Sequence, residues 1–451
     1  MPKRSKTPRG EKKKVTKRGR KPSSGQKANK GRPARHNFPL APGNTPIQNE
    51  AASKDYPPVP DTCFVTGGTG LCGIRLVEML IERGAKRVVS FDIVPPPEHA
   101  WKHKNIEWRV GDITNLNDVI EASKGADCIW HLAAAVGPFH PNDLYDKINY
   151  HGTLNIIEAC KVNGIKKLVM STSPSTRMDG SDLDGVQAED LPELPLPSYL
   201  QAYAESKAKG ELAARNASNG KDFFTVAVAP HQVYGPRDNL FLPNVLESYG
   251  GGTLRYFTCA RTGYGKNKVC FTFVDNYCHG LIIAERALYP NSPALGKFYI
   301  VTDGDTHPYK EGYAYLWELI NETGKYMGFP EIKDKTPYPS WLLIPLAYVA
   351  EYVGWAIGKK MKLNRFNINM LTMHRWFRID GAISDLDYKP IVSYEDGWRD
   401  TLEWFKENWL TKYNSDDGQG EKTARNKSAF GTVAGSTLEK IDIQSLGVNQ
   451  Q

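Results

Sequence analysis

The chain has 451 residues, 40% of them hydrophobic, enough for two domains or for one α/β domain with a substantial appendage. Its net charge of +8 is a local property: residues 1–40 hold 15 Lys/Arg and one acid, and the remainder holds 43 bases against 49 acids, a mildly acidic globule with a basic tail. Seven cysteines without a C-x-x-C pair, only one of them (Cys278) adjoining a histidine (His279), speak against a disulfide scaffold and against a metal cluster; reduced thiols and no metal are expected.

Residues 1–55 are rich in Lys, Arg, Pro, Gly and Ser and poor in aliphatics, which predicts a disordered basic tail. No apolar run opens the chain, so no signal peptide is expected. Within the tail, Lys17-Arg18-Gly19-Arg20-Lys21-Pro22 and Lys30-Gly31-Arg32-Pro33 resemble AT-hook cores, which lie along a narrow minor groove. Non-specific DNA contact, or contact with anionic lipid, is the alternative expectation for residues 1–40.

From residue 56 to Gly235, strand-like runs alternate with helical ones. The strands expected are Cys63–Thr66, Arg87–Val94, Ile106–Val110, Cys128–Ala133, Lys167–Ser173 and Phe223–Ala229; the helices are Leu71–Arg83, Tyr145–Val162 and Tyr199–Ala217. Such alternation implies a Rossmann-type, doubly wound parallel sheet with helices on both faces. After Gly235 the alternation loosens, and residues 236–412 read mainly as a smaller, interleaved C-terminal substrate domain, with a strand end followed by a helix over Phe271–Leu288 and helices over Tyr313–Gly328 and Trp398–Trp409. Residues 413–451 are polar and expected to be disordered. Trp341–Gly358 is nearly apolar all round, interrupted by Pro345 and Glu351. It is short for a spanning helix and reads either as a buried or interface helix or as a membrane-associating segment.

Thr66-Gly67-Gly68-Thr69-Gly70-Leu71-Cys72-Gly73 joins the first strand to the first helix of this unit. Gly67 suits a tight turn, Gly70 a close approach of the backbone to a pyrophosphate, and Gly73 close helix–sheet packing. Asp92, nineteen residues beyond Gly73, ends the second strand, where a carboxylate binds both hydroxyls of an adenosine ribose. NAD is therefore expected, with NADP as the alternative. Asp112 and Ile113 close the third strand at the adenine position. Ala133 closes the fourth strand, where a small residue lets the chain pass under the cofactor. His131 reads as a packed strand-end histidine.

Tyr203-Ala-Glu-Ser-Lys207 puts a phenol and an ammonium on one helix face. A free tyrosine titrates near pH ~10, and the Lys207 ammonium is expected to lower that value. Ser173, at the end of the fifth strand, would hold a substrate alcohol while Tyr203 removes its proton; Ser171, Thr172 and Ser175 are competing hydroxyls. Lys207 would also reach the nicotinamide ribose.

Together these motifs resemble the extended short-chain dehydrogenase/reductase superfamily. Later segments resemble its 3β-hydroxysteroid dehydrogenase group: Asn149-x-x-Gly152-Thr153, Pro230-His-Gln-Val233-Tyr-Gly235-Pro236, Phe271-Thr-Phe-Val-Asp275-Asn276, Gly296–Asp303 and Asp385–Pro390. Within that group the chain most resembles the sterol-4α-carboxylate 3-dehydrogenases, with Ala229 where an arginine often precedes the proline. The resemblance implies oxidation of a sterol or steroid 3β-hydroxyl and cofactor contacts at Leu71, Pro230 and Val233. It also implies a site on the cytosolic face of the endoplasmic reticulum membrane, the cytoplasm or nucleus being alternatives, and a homodimer as one assembly. Competing readings are a 3β-hydroxy-Δ5-steroid dehydrogenase/isomerase, a nucleotide-sugar epimerase or reductase, and a nucleic-acid-binding protein acting through the tail.

Overall fold

The computed structural model describes residues 38–136, 140–250, 258–260, 265–332, 337–357, 361 and 363–414. Residues 1–37, with both AT-hook-like motifs, and residues 415–451 lie outside the described residues, as do most of the glycines clustered at 250–252.

Seven parallel strands form the main sheet: β1 (Thr62–Thr66), β2 (Arg87–Asp92), β3 (Ile106–Val110), β4 (Cys128–His131), β5 (Lys167–Ser171), β6 (Phe224–Pro230) and β7 (Phe298–Val301). Their spatial order is β7-β6-β5-β4-β1-β2-β3, so the chain reverses direction between β1 and β4. Ligands of doubly wound sheets lie at the carboxyl ends of the strands at such a reversal. The central strands are buried on both faces, which explains runs such as Cys63-Phe-Val-Thr66 in place of alternation. The helices used below are α1 (Pro46–Ala52), α2 (Leu71–Glu82), α3 (Leu116–Ser123), α4 (Gly152–Asn163), α5 (Ala202–Ala217), α6 (Val274–Arg286), α7 (Ser340–Ala356) and α8 (Tyr394–Phe405).

A second sheet of four short strands combines Ala314–Tyr315, Lys268–Val269, Arg375–Phe377 and Leu183–Val186. Its last strand comes from the first half of the chain, and β7 returns from the second half to the main sheet. The two layers are thus interleaved along the chain.

One expectation is corrected. Residues 38–55 are not part of a disordered tail: they form a strap ending in α1. Thr45 caps α1 through a reciprocal capping box with Gln48, and Pro46 opens it. The strap is tied down by polar contacts to buried groups. Asn44 donates to Glu82 Oε1 (2.6 Å) and accepts from Arg75 Nη1 (2.9 Å), Gln48 donates to Asp275 Oδ1 (2.8 Å), and Thr45 donates to Asp400 Oδ2 (2.7 Å). Beneath it, Arg75 on α2 meets Glu78, Glu82 and Asp275, all buried. This charged cluster joins α2, which starts at the glycine turn, to α6, while Thr45 ties the strap to Asp400 of α8.

Candidate active site

The glycine turn is built on contacts that only glycine allows. Gly67 has φ +71°, and a Cβ there would stand 2.7 Å from Ala133 N. A Cβ on Gly73 would stand 2.0 Å from Gly67 O. At Gly70 the nearest atom to a Cβ, Gly67 O, is 3.6 Å away, and Gly70 precedes α2 without a side-chain cap. The first amides of α2 therefore face open space, the arrangement that receives a phosphate. A cavity of about 180 Å³ beside this helix start is lined by Thr69, Leu71, Arg75, His99, Pro236 and Arg237 among others. Asp92 ends β2 and accepts from Thr69 N (3.0 Å) and Thr69 Oγ1 (2.7 Å), which fixes its carboxylate at the turn. Asp112 accepts from Thr114 N and Oγ1, and the Ile113 side chain fills the space a Cβ on Gly152 would need (2.7 Å).

Under the turn runs a buried polar chain. Thr66 Oγ1 accepts from Ala133 N (3.2 Å) and donates to His131 Nδ1 (2.8 Å). His131 Nε2 donates to Thr153 Oγ1 (3.0 Å), and Thr153 donates to Asn149 O (2.7 Å). Burial pulls His131 down to about 3, so it is a neutral link in this chain. Asn149 Nδ2 continues it to Ser206 Oγ (3.0 Å) on α5, the helix that carries Tyr203 and Lys207.

Ser173 opens a 3₁₀ turn, Pro174–Arg177, and its hydroxyl accepts from Ser175 N (3.2 Å) and pairs with Ser175 Oγ (2.9 Å). It also lies close enough to Tyr203 to lower that phenol's pKa. Two of the competing hydroxyls are engaged elsewhere, Ser171 Oγ accepting from Tyr277 OH (2.6 Å) and Thr172 donating to Glu211 (2.8 Å), while Ser175 stays paired with Ser173. Tyr203 stands edge-on to Tyr145, with centroids 6.0 Å apart.

The expected depression of the Tyr203 pKa by Lys207 is not found. Burial pushes the phenol up to about 12, opposed by the Ser173 hydroxyl and reinforced by Tyr145. The Lys207 amine is turned to the carbonyl of Ser171 (2.8 Å), and burial lowers it to about 8 against the favourable charge of Glu211.

Sequence reasoning missed the pair that registers Ser173 against Tyr203. Arg177, in the turn after Ser173, forms a buried ion pair with Glu211 on α5 and lies over the Phe298 ring (3.7 Å). The signal was present: Glu211 lies four residues beyond Lys207, on the same helix face. Pro230 ends β6 against Val301 of β7, and Val233 pairs with Thr272, so both lie at the carboxyl edge of the sheet. Gln232 between them has φ 43°.

Residues 64–329 match the 3-beta hydroxysteroid dehydrogenase/isomerase family. The chain belongs to this family. It is 28% identical over 349 residues to the human sterol-4-alpha-carboxylate 3-dehydrogenase, decarboxylating, covering 76% of this chain and 88% of that protein. It is 31% identical over 341 residues to the 2-alkyl-3-oxoalkanoate reductase of Stenotrophomonas maltophilia, covering 74% of this chain and 97% of the relative. Among solved structures, an epimerase from Methanothermobacter thermautotrophicus superposes with TM-score 0.59 at 22% identity, over 81% of this chain and 97% of the epimerase. A dTDP-glucose 4,6-dehydratase from Streptomyces venezuelae, solved with NAD, gives TM-score 0.56 at 19% identity, over 77% and 97%. These likenesses carry the fold and not the substrate. Family membership makes the chain an oxidoreductase acting on a hydroxyl group.

Proposed function

We propose that this chain oxidises the 3β-hydroxyl of a sterol that carries a 4α-carboxylate, using NAD. The observation that carries the reading is the meeting of Ser173 and Tyr203 at the carboxyl end of β5, with Lys207 one helical turn beyond and the uncapped start of α2 nearby. The residues fit the cofactor: the uncapped start of α2 at Gly70 and Leu71 for a pyrophosphate, Asp92 for a ribose, Asp112 and Ile113 beside an adenine, and Ala133, Pro230 and Val233 along the floor and far wall. When bound there, a nicotinamide dinucleotide supplies the hydride acceptor. Ser173 orients the substrate alcohol, and Tyr203 receives its proton once ionised; with burial pushing the phenol up to about 12, that step is favoured as pH rises. A 3-ketone beside a 4α-carboxylate is a β-keto acid, which loses carbon dioxide through its enol, so no residue dedicated to decarboxylation is needed. The names of the curated sterol relatives support this substrate.

A sterol must come from a membrane, and α7 offers a contact. Trp341 (72% exposed), Val349, Tyr352 and Trp355 (76%) project from it into solvent. Among the described residues no helix is long and apolar enough to cross a bilayer. We therefore assign α7 to shallow seating in the interface, where aromatic rings are favoured, at the cytosolic face of the endoplasmic reticulum.

The test is NAD reduction by the purified protein with a 4α-carboxysterol, a plain 3β-hydroxysteroid and UDP-sugars, alongside Tyr203→Phe. The variant should lose about 10²–10⁴-fold in kcat, the usual contribution of a positioned acid–base group. Full activity in Tyr203→Phe sinks the mechanism, and turnover of UDP-sugars alone sinks the substrate. Failure of the protein to bind liposomes refutes the role of α7.

A further inference from the structure

Arg375, in the middle strand pair of the small sheet, is a buried cation that meets no carboxylate among the described residues. It is 7% exposed. Nη2 donates to Met370 O (2.8 Å), Nη1 makes only a long contact to His231 Nε2 (3.4 Å), and Nε has no partner. A guanidinium has five N–H donors, so most of them are unused. The nearby acids are committed elsewhere. Asp184 accepts from Lys268 and Trp376, and Asp303 accepts from Asn276, Tyr234 and the Phe273 amide. Burial without a counter-charge pulls Arg375 down to about 10.

His231 does not supply that counter-charge. Its Nδ1 contacts the Cys270 carbonyl at 2.8 Å; a carbonyl only accepts, so Nδ1 carries the proton and Nε2 offers a lone pair to Arg375. Burial and the neighbouring guanidinium hold His231 near 3, hence neutral. Leaving a charge buried and unpaired costs several kcal/mol, and folds keep such a group where a ligand completes it.

The position of Arg375 says which ligand group. Ser171 pairs with Val228, and Thr172 N donates to Val228 O, so Ser173 lies level with the end of β6. His231 follows Pro230 at that end, and Arg375 leans on His231. In its own sheet Arg375 pairs with Val269 on one side and with Leu183 on the other, the latter in the segment leading from the Ser173 turn. The unpaired cation therefore stands at the end of the sheet that holds Ser173 and Tyr203.

We infer that Arg375 recognises the anionic group of the substrate, donating from Nε–H and a free Nη–H to the two oxygens of one carboxylate. Side-on donation of this kind is the strongest geometry for a guanidinium and a carboxylate. The inference rests on the sterol-acid reading above. It makes Arg375 the residue that distinguishes the carboxylated sterol from the neutral one.

The experiment compares kcat/KM of the full chain, with NAD, for a 4α-carboxy-3β-hydroxysterol and for the same sterol with a 4α-methyl group. In Arg375→Gln the ratio of the two should fall about 100-fold, the scale for removing one partner of a buried charged pair. Arg375→Lys, which keeps the charge and loses the fork, should fall between. Arg375→Gln should melt no lower than the parent, because an unpaired buried charge is removed. An unchanged ratio, whether both rates hold or both fall together, overturns the assignment. Inactivity of the parent protein on both sterols overturns the functional reading itself, and that result is seen before any substitution is made.

Discussion

Gly73→Ala is the sharpest perturbation of the cofactor end of the site. The new methyl would stand 2.0 Å from Gly67 O, 2.7 Å from Gly68 Cα and 2.8 Å from Gly67 C. All three are backbone atoms, so no side chain can swing away. Relief requires the start of α2 and the glycine turn to part by about 1.5 Å, since non-bonded contacts settle near 3.5 Å. Overpacking of this kind costs about 1–3 kcal/mol, which is about 4 °C in Tm at the upper end for a fold of this length. The amides facing the pyrophosphate shift with the turn, and a misplacement of about 1 Å costs roughly 100-fold in a positioned interaction. Gly70→Ala is the control. Its methyl meets nothing in the protein closer than 3.6 Å, so stability should change by less than about 1 kcal/mol, while the methyl obstructs the approach of the pyrophosphate. Titration of NAD by fluorescence, with thermal melts of both variants, checks the pair. Gly73→Ala with parental Tm and cofactor affinity within threefold of the parent would refute the steric reasoning. So would a Gly70→Ala protein that is destabilised as much as Gly73→Ala.

Two further outcomes concern buried charge. Lys207 titrates at about 8 in the fold against an ordinary value of 10.5. Between those values the unfolded chain holds a proton that the fold does not, so stability rises with pH across this window and falls as pH drops through 8. The contribution is on the order of 3 kcal/mol; denaturant unfolding at pH 7.5 and 10.5 should show it, and Lys207→Met should remove it. An identical slope in the variant contradicts the assignment. Arg75→Met leaves Glu78, Glu82 and Asp275 without their shared cation and should cost about 3–5 kcal/mol. It should also loosen the strap, read as faster proteolysis within residues 38–52; a parental cleavage rate would argue against the strap being held by this cluster.

The strap shows why part of the fold was hidden in the sequence. Its composition is that of a tail, and only Thr45-Pro46-x-Gln48 marks a helix start. What orders it is a set of carboxylates brought together from residues 82, 275 and 400, which no local window contains. The strand Leu183–Val186 is similar: it is short, holds a glycine, and exists because Arg375–Phe377 lies beside it.

Local chemistry was enough for the rest. Apolar runs separated by helical periods determine a parallel sheet, because a strand buried on both faces must be apolar throughout. The glycine spacing determines the turn, because positive φ and backbone contact below 3 Å exclude any side chain. Tyr203 and Lys207 share a face because four residues make about one helical turn. Tertiary structure alone decided the charge states. The Lys207 amine is spent on the Ser171 carbonyl, Tyr203 is raised by burial, and Arg375 is left without a counter-ion among the described residues. Electrostatic energy depends on distance and on exclusion of water, and neither is set by separation along the chain.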